Sequence, residues 1–429
     1  MMRPPFSTMG RTGLGVSTTL LLAMIAGSGA TADSAVPQDP CAGMTAVSNT
    51  KSSSADSPAR PASPAVKVSG NHLIDAAGNT LQLRGVNVSA LEFVAAQGWN
   101  PADPWGGQSP DWRAIRSWKA NTVRIPLNEA SWLGYQCTDP AGKTRNPDPG
   151  GNYKAVVAKA VSGATAAGFY VILDLHWSAP GKFCPLAQNP MADADHSIAF
   201  WSSLAAQFKS SPNVLFELFN EPFVGYSGPV SQADWQIIMQ GGKQSYYITG
   251  DNPYQANYTW EVAGMQQMLN AVRATGATNV VLIGTPSWAQ DLSRWLANAP
   301  TDPLKQIGVV WHAYPQLSGQ KSDNTNKSVD GQARVPKLGA VAYTWASAIL
   351  DAGYPILITE TGDHNAPGTT GAPYLASLLP WADVHDVSYL GWTWDVWQNP
   401  DDVLIKGAGG EPTDGYGVYF KQYLTCRAR

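Results

Sequence analysis

The strongest constraint on this chain is a rhythm: short apolar runs recur along it, with helical periods between them. The runs are GVNV (85–88), TVRIP (122–126), YVILDLH (170–176), VLFEL (214–218), VVLIG (280–284), GVVWHAY (308–314), ILITE (356–360) and YLGWTW (389–394). Between them, Tyr153, Val156, Val157, Ala160, Val161 and Ala164 follow the spacing of one helix face. Trp201, Leu204, Ala205 and Phe208 do the same, as do Val262, Met265, Leu269 and Val272. Ser109-Pro110 reads as a helix N-cap followed by proline at the first helical position. Eight strands alternating with helices match an α/β fold, the (β/α)8 barrel. A doubly wound sheet is the alternative, but no glycine-rich phosphate loop follows the first strand. Ahead of the barrel, VKVSG, HLID and TLQL, separated by turn residues, predict a short β-hairpin. Long loops are expected after strands four and eight.

The N-terminus bears on destination. Arg3 and Arg11 precede an apolar stretch from Leu14 to Ala26, and small residues follow, ending in Ala30-Thr31-Ala32. This is the pattern of a signal peptide over residues 1–32. Its apolar part is about a dozen residues long, short of the roughly 20 that a membrane span needs. Residues 33–65 are rich in Ser, Ala and Pro and read as a linker or disordered arm, leaving 66–429 for the barrel domain. No appended carbohydrate-binding module is expected. The protein is therefore expected to be secreted, extracellular or periplasmic, and free of the membrane once the signal is cut. In an oxidising compartment the four cysteines favour disulfides. Of three possible pairings, Cys137–Cys184 with Cys41–Cys426 is preferred. A formal net charge of −4 with no Lys/Arg cluster argues against a nucleic-acid partner. A monomer is expected.

In a (β/α)8 barrel the C-terminal strand ends converge on one mouth. Arg124 lies on strand two, His176 ends strand three, and Asn220-Glu221 follows strand four. His312 and Tyr314 end strand six, Glu360 strand seven and Trp394 strand eight. Each alone has an ordinary explanation: a turn residue, a hydrogen-bonded histidine, a packed tryptophan. Polar groups at so many strand ends resist that explanation, because each one buried without a partner costs about 1–3 kcal/mol. Two glutamates at one mouth suit glycoside hydrolysis, in which one carboxyl protonates the leaving oxygen and the other attacks or activates water. Arg124 beside Glu360 is expected to keep that carboxylate ionised, while burial and its negative neighbour raise Glu221. Glu217 reads as a buried partner for an arginine.

The ordered set TVRIPL, LDLHW, LFELFNEP, VVWHAY, LITETG and GWTW resembles glycoside hydrolase family 5, the cellulase family of the retaining (β/α)8 clan. The resemblance runs from about Val66 to Tyr423. It implies that Glu221 is the acid/base and Glu360 the nucleophile. It implies that Asn220 binds the sugar 2-hydroxyl, that Tyr314 hydrogen-bonds the nucleophile, and that Arg124 holds the nucleophile's charge. His176 and His312 would flank the central sugar subsite and Trp394 would floor it, with Trp392 and Trp397 competing for that role. Retention implies carboxyl groups about 5–5.5 Å apart.

The implied substrate is a β-glucan or related polysaccharide, with an endo-β-1,4-glucanase expected first. β-Mannanase, β-1,3- or mixed-linkage glucanase and exo-acting glucosidase remain alternatives. Trp235, Tyr246, Tyr247, Tyr254, Tyr258, Trp260 and Trp397, on the two long loops, either stack on successive sugars or pack among themselves to shield the rim. A non-catalytic sugar-binding barrel would not need both glutamates. A metal-dependent barrel would want clustered ligands such as His-x-His on the first strand, which reads GVNV. His72, His196 and His385 fall outside the strand ends, and His364 is at most a subsite residue. No cofactor and no metal are expected.

Overall fold

Eight parallel strands close into a barrel in the computed structural model, which describes residues 64–96, 110–223, 230–247, 257–314, 339–363, 373–396, 403–414 and 416–427. The expected signal peptide and nearly all of the linker lie outside these residues. In chain order the strands are β1 (Arg84–Asn87), β2 (Thr122–Asn128), β3 (Tyr170–Trp177), β4 (Val214–Glu217), β5 (Val281–Ile283), β6 (Ile307–Ala313), β7 (Ile356–Thr361) and β8 (Ser388–Gly391). Each pairs with its sequence neighbours, and β8 closes on β1 through Leu390 opposite Gly85. Barrel strands are covered on both faces, which is why they read as continuous apolar runs instead of alternating ones. Gly85 is required by closeness: a Cβ there would collide with the Thr122 carbonyl of β2.

The lower lumen is filled by Leu83, Ile172, Leu215, Leu282, Val310 and Leu357. Lys67–Ser69, His72–Ile74 and Thr80–Leu81 form the small antiparallel sheet expected at the N-terminus. It packs Val66 and Leu73 into the same apolar cluster. Leu73 is buried to 2% exposure, worth about 1.5–3 kcal/mol, and closes the barrel at the end opposite the strand C-termini. Chemistry is thereby confined to the upper mouth.

Among the helices, α1 (Trp112–Ser117) is capped by Asp111, two residues beyond the expected Ser109, which lies outside the described residues. The Asp111 carboxylate accepts from the backbone N–H groups of Arg113 and Ala114, satisfying two orphan donors of the first turn. Next come α2 (Glu129–Leu133), α3 (Tyr153–Ala166) and α4 (Ser197–Phe208), the last two following the predicted apolar spacing. Val262 departs from its expected helix: it ends an antiparallel hairpin, Gly242–Tyr247 with Asn257–Val262, and the helix starts at Met265. That hairpin and helix Gln232–Gln240 occupy the long connection after β4. Trp235 and Trp260 there are buried in the main core, so these two shield the rim and do not line a cleft. The side chains of Tyr246, Tyr247, Tyr254, Tyr258 and Trp397 lie outside the described residues. Among the described residues no helix is long and apolar enough to cross a membrane.

Cys137 and Cys184 form the expected disulfide, joining the connections that follow β2 and β3. Cys426 is also disulfide-bonded, but Cys41, its expected partner, lies outside the described residues.

Candidate active site

Arg124, on β2, is the hub of the mouth. It has no solvent exposure, and its guanidinium is surrounded by side chains from four other strands or their ends. Nε and Nη2 donate to the two oxygens of Glu217 at 3.0 and 2.8 Å. Nη2 also lies 3.0 Å from Asp174 and 2.8 Å from the Asn220 amide oxygen. Nη1 donates to Asn87 at 2.9 Å and to Glu360 at 2.6 Å. Only a planar fork with five donors can serve acceptors in so many directions, which a lysine could not. Glu217 is thus the arginine partner that the sequence suggested. Buried beside Arg124 and His312, its carboxyl lies below the ordinary value, because these cations outweigh the cost of burial.

Glu360, at the end of β7, receives Arg124 on Oε1 and the Tyr314 hydroxyl on Oε2 at 3.1 Å. Across from it, Glu221 follows β4 and keeps 15% of its side chain exposed, against 6% for Glu360. An oxygen of each, together with a nitrogen of His312, lies within 4.8 Å of the others. His312 is fully buried, with Nδ1 2.9 Å from Glu221 and 3.7 Å from Glu360. Its Nε2 lies 3.0 Å from the Thr359 hydroxyl. Its ring thus bridges the two carboxyls and the Thr359 hydroxyl.

The electrostatics differ from expectation in one respect. Glu221 is not raised. Burial works to raise it, but the hydrogen bond and charge of His312, helped by Gln188, hold it below the ordinary carboxyl value. Glu360 is the raised member: burial pushes it up, Glu221's charge adds to that, and His312 and Arg124 only partly offset it. Burial disfavours the His312 imidazolium too, yet Glu360, Glu217 and Glu221 around it push it up to about 10. Tyr314 is raised well above its usual value by burial and then by Glu360, so it stays a phenol and a donor.

On β3, His176 Nδ1 lies 2.7 Å from Asp174, and its ring stacks on Trp392 with centroids 5.4 Å apart and planes within 7°. Burial lowers His176 and keeps it neutral. Trp392 is part-exposed, whereas Trp394 is 5% exposed and packed edge-on against Trp118 at 4.8 Å. Trp394 therefore belongs to the core, and Trp392 is the tryptophan beside the mouth. Strand β8 ends at Gly391, so strand alternation no longer places the side chains beyond it. Trp397 and His364 lie outside the described residues.

Three contributors escaped the sequence reading. Asp174 sits two residues before His176, on the same strand face, a signal that period-two reading could have used. Asn87, the last residue of β1, donates to the carbonyls of Thr359 and Gly391. Gln188 donates from Nε2 to Glu221 Oε2 at 3.0 Å, and no local pattern marks it.

Two carboxyls facing each other over a buried arginine, at the C-terminal mouth of a (β/α)8 barrel, define a glycoside-hydrolase barrel. The comparisons agree. The chain belongs to glycosyl hydrolase family 5: the Cellulase family model matches residues 74–398. Endoglucanase MaCel5A of Microbulbifer sp. (strain ALW1) is 25% identical over 360 residues, covering 82% of this chain and 54% of that protein. Endoglucanase Z of Dickeya dadantii (strain 3937) is 26% identical over 274 residues, 62% of this chain and 47% of that one. The chain thus spans about half the length of these curated relatives. Among solved structures, β-glucanase SdGluc5_26A of Saccharophagus degradans, in complex with cellotetraose, has a TM-score of 0.57 at 21% identity. That match covers 86% of this chain and 97% of that one, and it shows the fold.

Proposed function

We propose that this protein is a secreted retaining β-glycoside hydrolase, an endo-β-1,4-glucanase working by double displacement. The observation that carries the reading is the approach of Glu221 and Glu360 oxygens to within 4.8 Å. So close an approach supports the retaining arrangement, with carboxyls about 5–5.5 Å apart, over the inverting one, which leaves about 6.5–9.5 Å for a water. Endoglucanase names among the relatives support the substrate, and the N-terminal signal pattern supports export.

Glu360 is the nucleophile, aimed by Arg124 on one oxygen and Tyr314 on the other. Glu221 is the acid/base. In the free site the proton shared by Glu221 and His312 rests on Nδ1. A sugar over the mouth removes Glu221's remaining exposure, favours its neutral form, and draws that proton across the 2.9 Å hydrogen bond. Glu221 then gives the proton to the glycosidic oxygen as a Glu360 oxygen bonds to the anomeric carbon. Esterification removes the Glu360 charge, which lowers Glu221 again and suits it to take a proton from the attacking water. Trp392 floors the subsite beside His176, and Asn220, fixed by Arg124, presents its amide to a sugar hydroxyl.

The test is product analysis on carboxymethylcellulose, mixed-linkage glucan, mannan and xylan, with the anomer first formed read by NMR. β-Anomers and oligomers from cellulose are expected, with turnover abolished in Glu360→Gln and oligosaccharide binding kept. α-Anomers, or an active Glu360→Gln, refute the mechanism; preference for mannan or xylan refutes the substrate alone.

A further inference from the structure

Behind the mouth, a second group of donors converges where the connections after β2 and β3 meet. Glu129 opens α2, while Asp193 and His196 lie just before α4. Glu129 and Asp193 have no solvent exposure, and His196 keeps 20% of its side chain exposed. We propose that Glu129, Asp193 and His196 form a structural site for a divalent first-row transition ion, with Zn2+ the best fit.

The spacing is the first argument. His196 Nδ1 lies 3.2 Å from Asp193 Oδ1 and 3.7 Å from Glu129 Oε1, and one donor atom from each residue lies within 4.8 Å of the other two. Zn2+ bonds of about 2.0–2.2 Å in a tetrahedron set ligand atoms about 3.3–3.6 Å apart. An imidazole among the donors favours such an ion over Ca2+ or Mg2+, which prefer oxygen alone. The second argument is orientation from outside. Tyr135 stacks on the His196 ring at 4.1 Å and donates its hydroxyl to Glu129 Oε1 at 3.1 Å. Ser197 donates to Glu129 Oε2 at 2.5 Å, and the His196 backbone N–H donates to Asp193 Oδ1 at 2.9 Å. Such outer partners are what fix ligands around metal ions.

An unmet need for positive charge is the third argument. Asp193 Oδ2 is buried and no hydrogen-bond donor reaches it. His196 is the only base paired with either carboxylate among the described residues, and Asp195 adds a further negative charge nearby. Two buried acids of this kind need a cation or a proton between them. The site would reinforce a joint that the Cys137–Cys184 disulfide also ties. The same β3 connection carries Gln188 to Glu221.

The experiment uses chelator-treated full-length protein, titrated separately with Zn2+, Ca2+ and Mg2+ by calorimetry and thermal melting. Because Glu221, His312 and Glu360 also offer clustered donors, Glu360→Gln serves as the background in which a Zn2+ ion can be assigned. One Zn2+ per chain is expected in that background, with binding at least 100-fold weaker in Asp193→Asn and His196→Ala. At a hundredfold excess over Kd, Zn2+ should raise Tm by about 3–6 °C. Ca2+ and Mg2+ should not, and with Glu360 intact kcat/KM of Asp193→Asn and His196→Ala should stay within about twofold of the unsubstituted protein. If Asp193→Asn does not fold, His196→Ala decides. Absence of Zn2+ binding, or Zn2+ binding retained in His196→Ala, overturns the proposal, and a Ca2+ response that depends on Asp193 overturns the choice of ion.

Discussion

Replacing Tyr314 by Phe removes one hydroxyl and tests the division of labour at the mouth. The hydroxyl donates to Glu360 Oε2 at 3.1 Å, while Arg124 holds the other oxygen at 2.6 Å. A hydrogen bond to a charged group contributes about 1.5–3 kcal/mol. Here it favours the ionised form of a carboxyl that burial already raises. In the proposed mechanism Glu360 attacks ionised, so the rate should fall as pH drops through the Glu360 value. Without the donor that value rises, and the acid limb of the kcat/KM profile moves up by about one to two units. At a pH on the original plateau, the same energy corresponds to a loss of about 10- to 150-fold. The assay is the pH dependence of kcat/KM on dinitrophenyl cellobioside, whose leaving group needs no proton from Glu221, so the limb reports the nucleophile alone. Phe fills the same ring space, and Tm should stay within about 2 °C. An unmoved acid limb with less than threefold loss refutes Tyr314 as a partner of an attacking Glu360.

Gln188→Leu should act on the opposite limb: in the proposed mechanism Glu221 works protonated, and losing a donor to its carboxylate should move the basic limb of cello-oligosaccharide hydrolysis upward by roughly half a unit to one unit. The two tryptophans should separate cleanly. Trp392→Ala should raise KM about tenfold with little change in Tm, whereas Trp394→Ala should cost about 3–5 kcal/mol of stability in denaturant melts without a selective KM effect. Replacing both Cys137 and Cys184 by Ser opens a loop of sequence separation 47 and should cost about 4 kcal/mol, lowering Tm by about 5–10 °C in calorimetry.

The barrel was legible because its strands are covered on both sides, so VVLIG and ILITE stand out without alternation to decode. The hub was legible in part: Arg124 and Glu217 are inward on their strands, and a buried arginine with a buried glutamate invites pairing. Gln188 was not, because it reaches Glu221 from a connection whose path is set by the Cys137–Cys184 tie and by packing. The tryptophan that borders the mouth was misplaced for a similar reason. Past Gly391 the chain leaves the sheet, and the Trp118 neighbour that claims Trp394 comes from a segment more than 250 residues away. The order of the two carboxyls in acidity was reversed because it depends on one atom. His312 Nδ1 points at Glu221, and nothing in VVWHAY tells which glutamate the ring will face.

Arg124 gives the fold a property that its individual contacts do not suggest. Its acceptors come from β1, β3, β7 and the end of β4; β4 and β7 do not pair with β2, so Arg124 reaches those two only across the closed ring. Parting β4 or β7 from the ring leaves Glu217 or Glu360 without its cation in the same event that takes apart the mouth. Turnover is thus a reporter of ring closure: heated or titrated with denaturant, the enzyme should fall silent in step with the barrel's opening, and no half-open form should hydrolyse sugar.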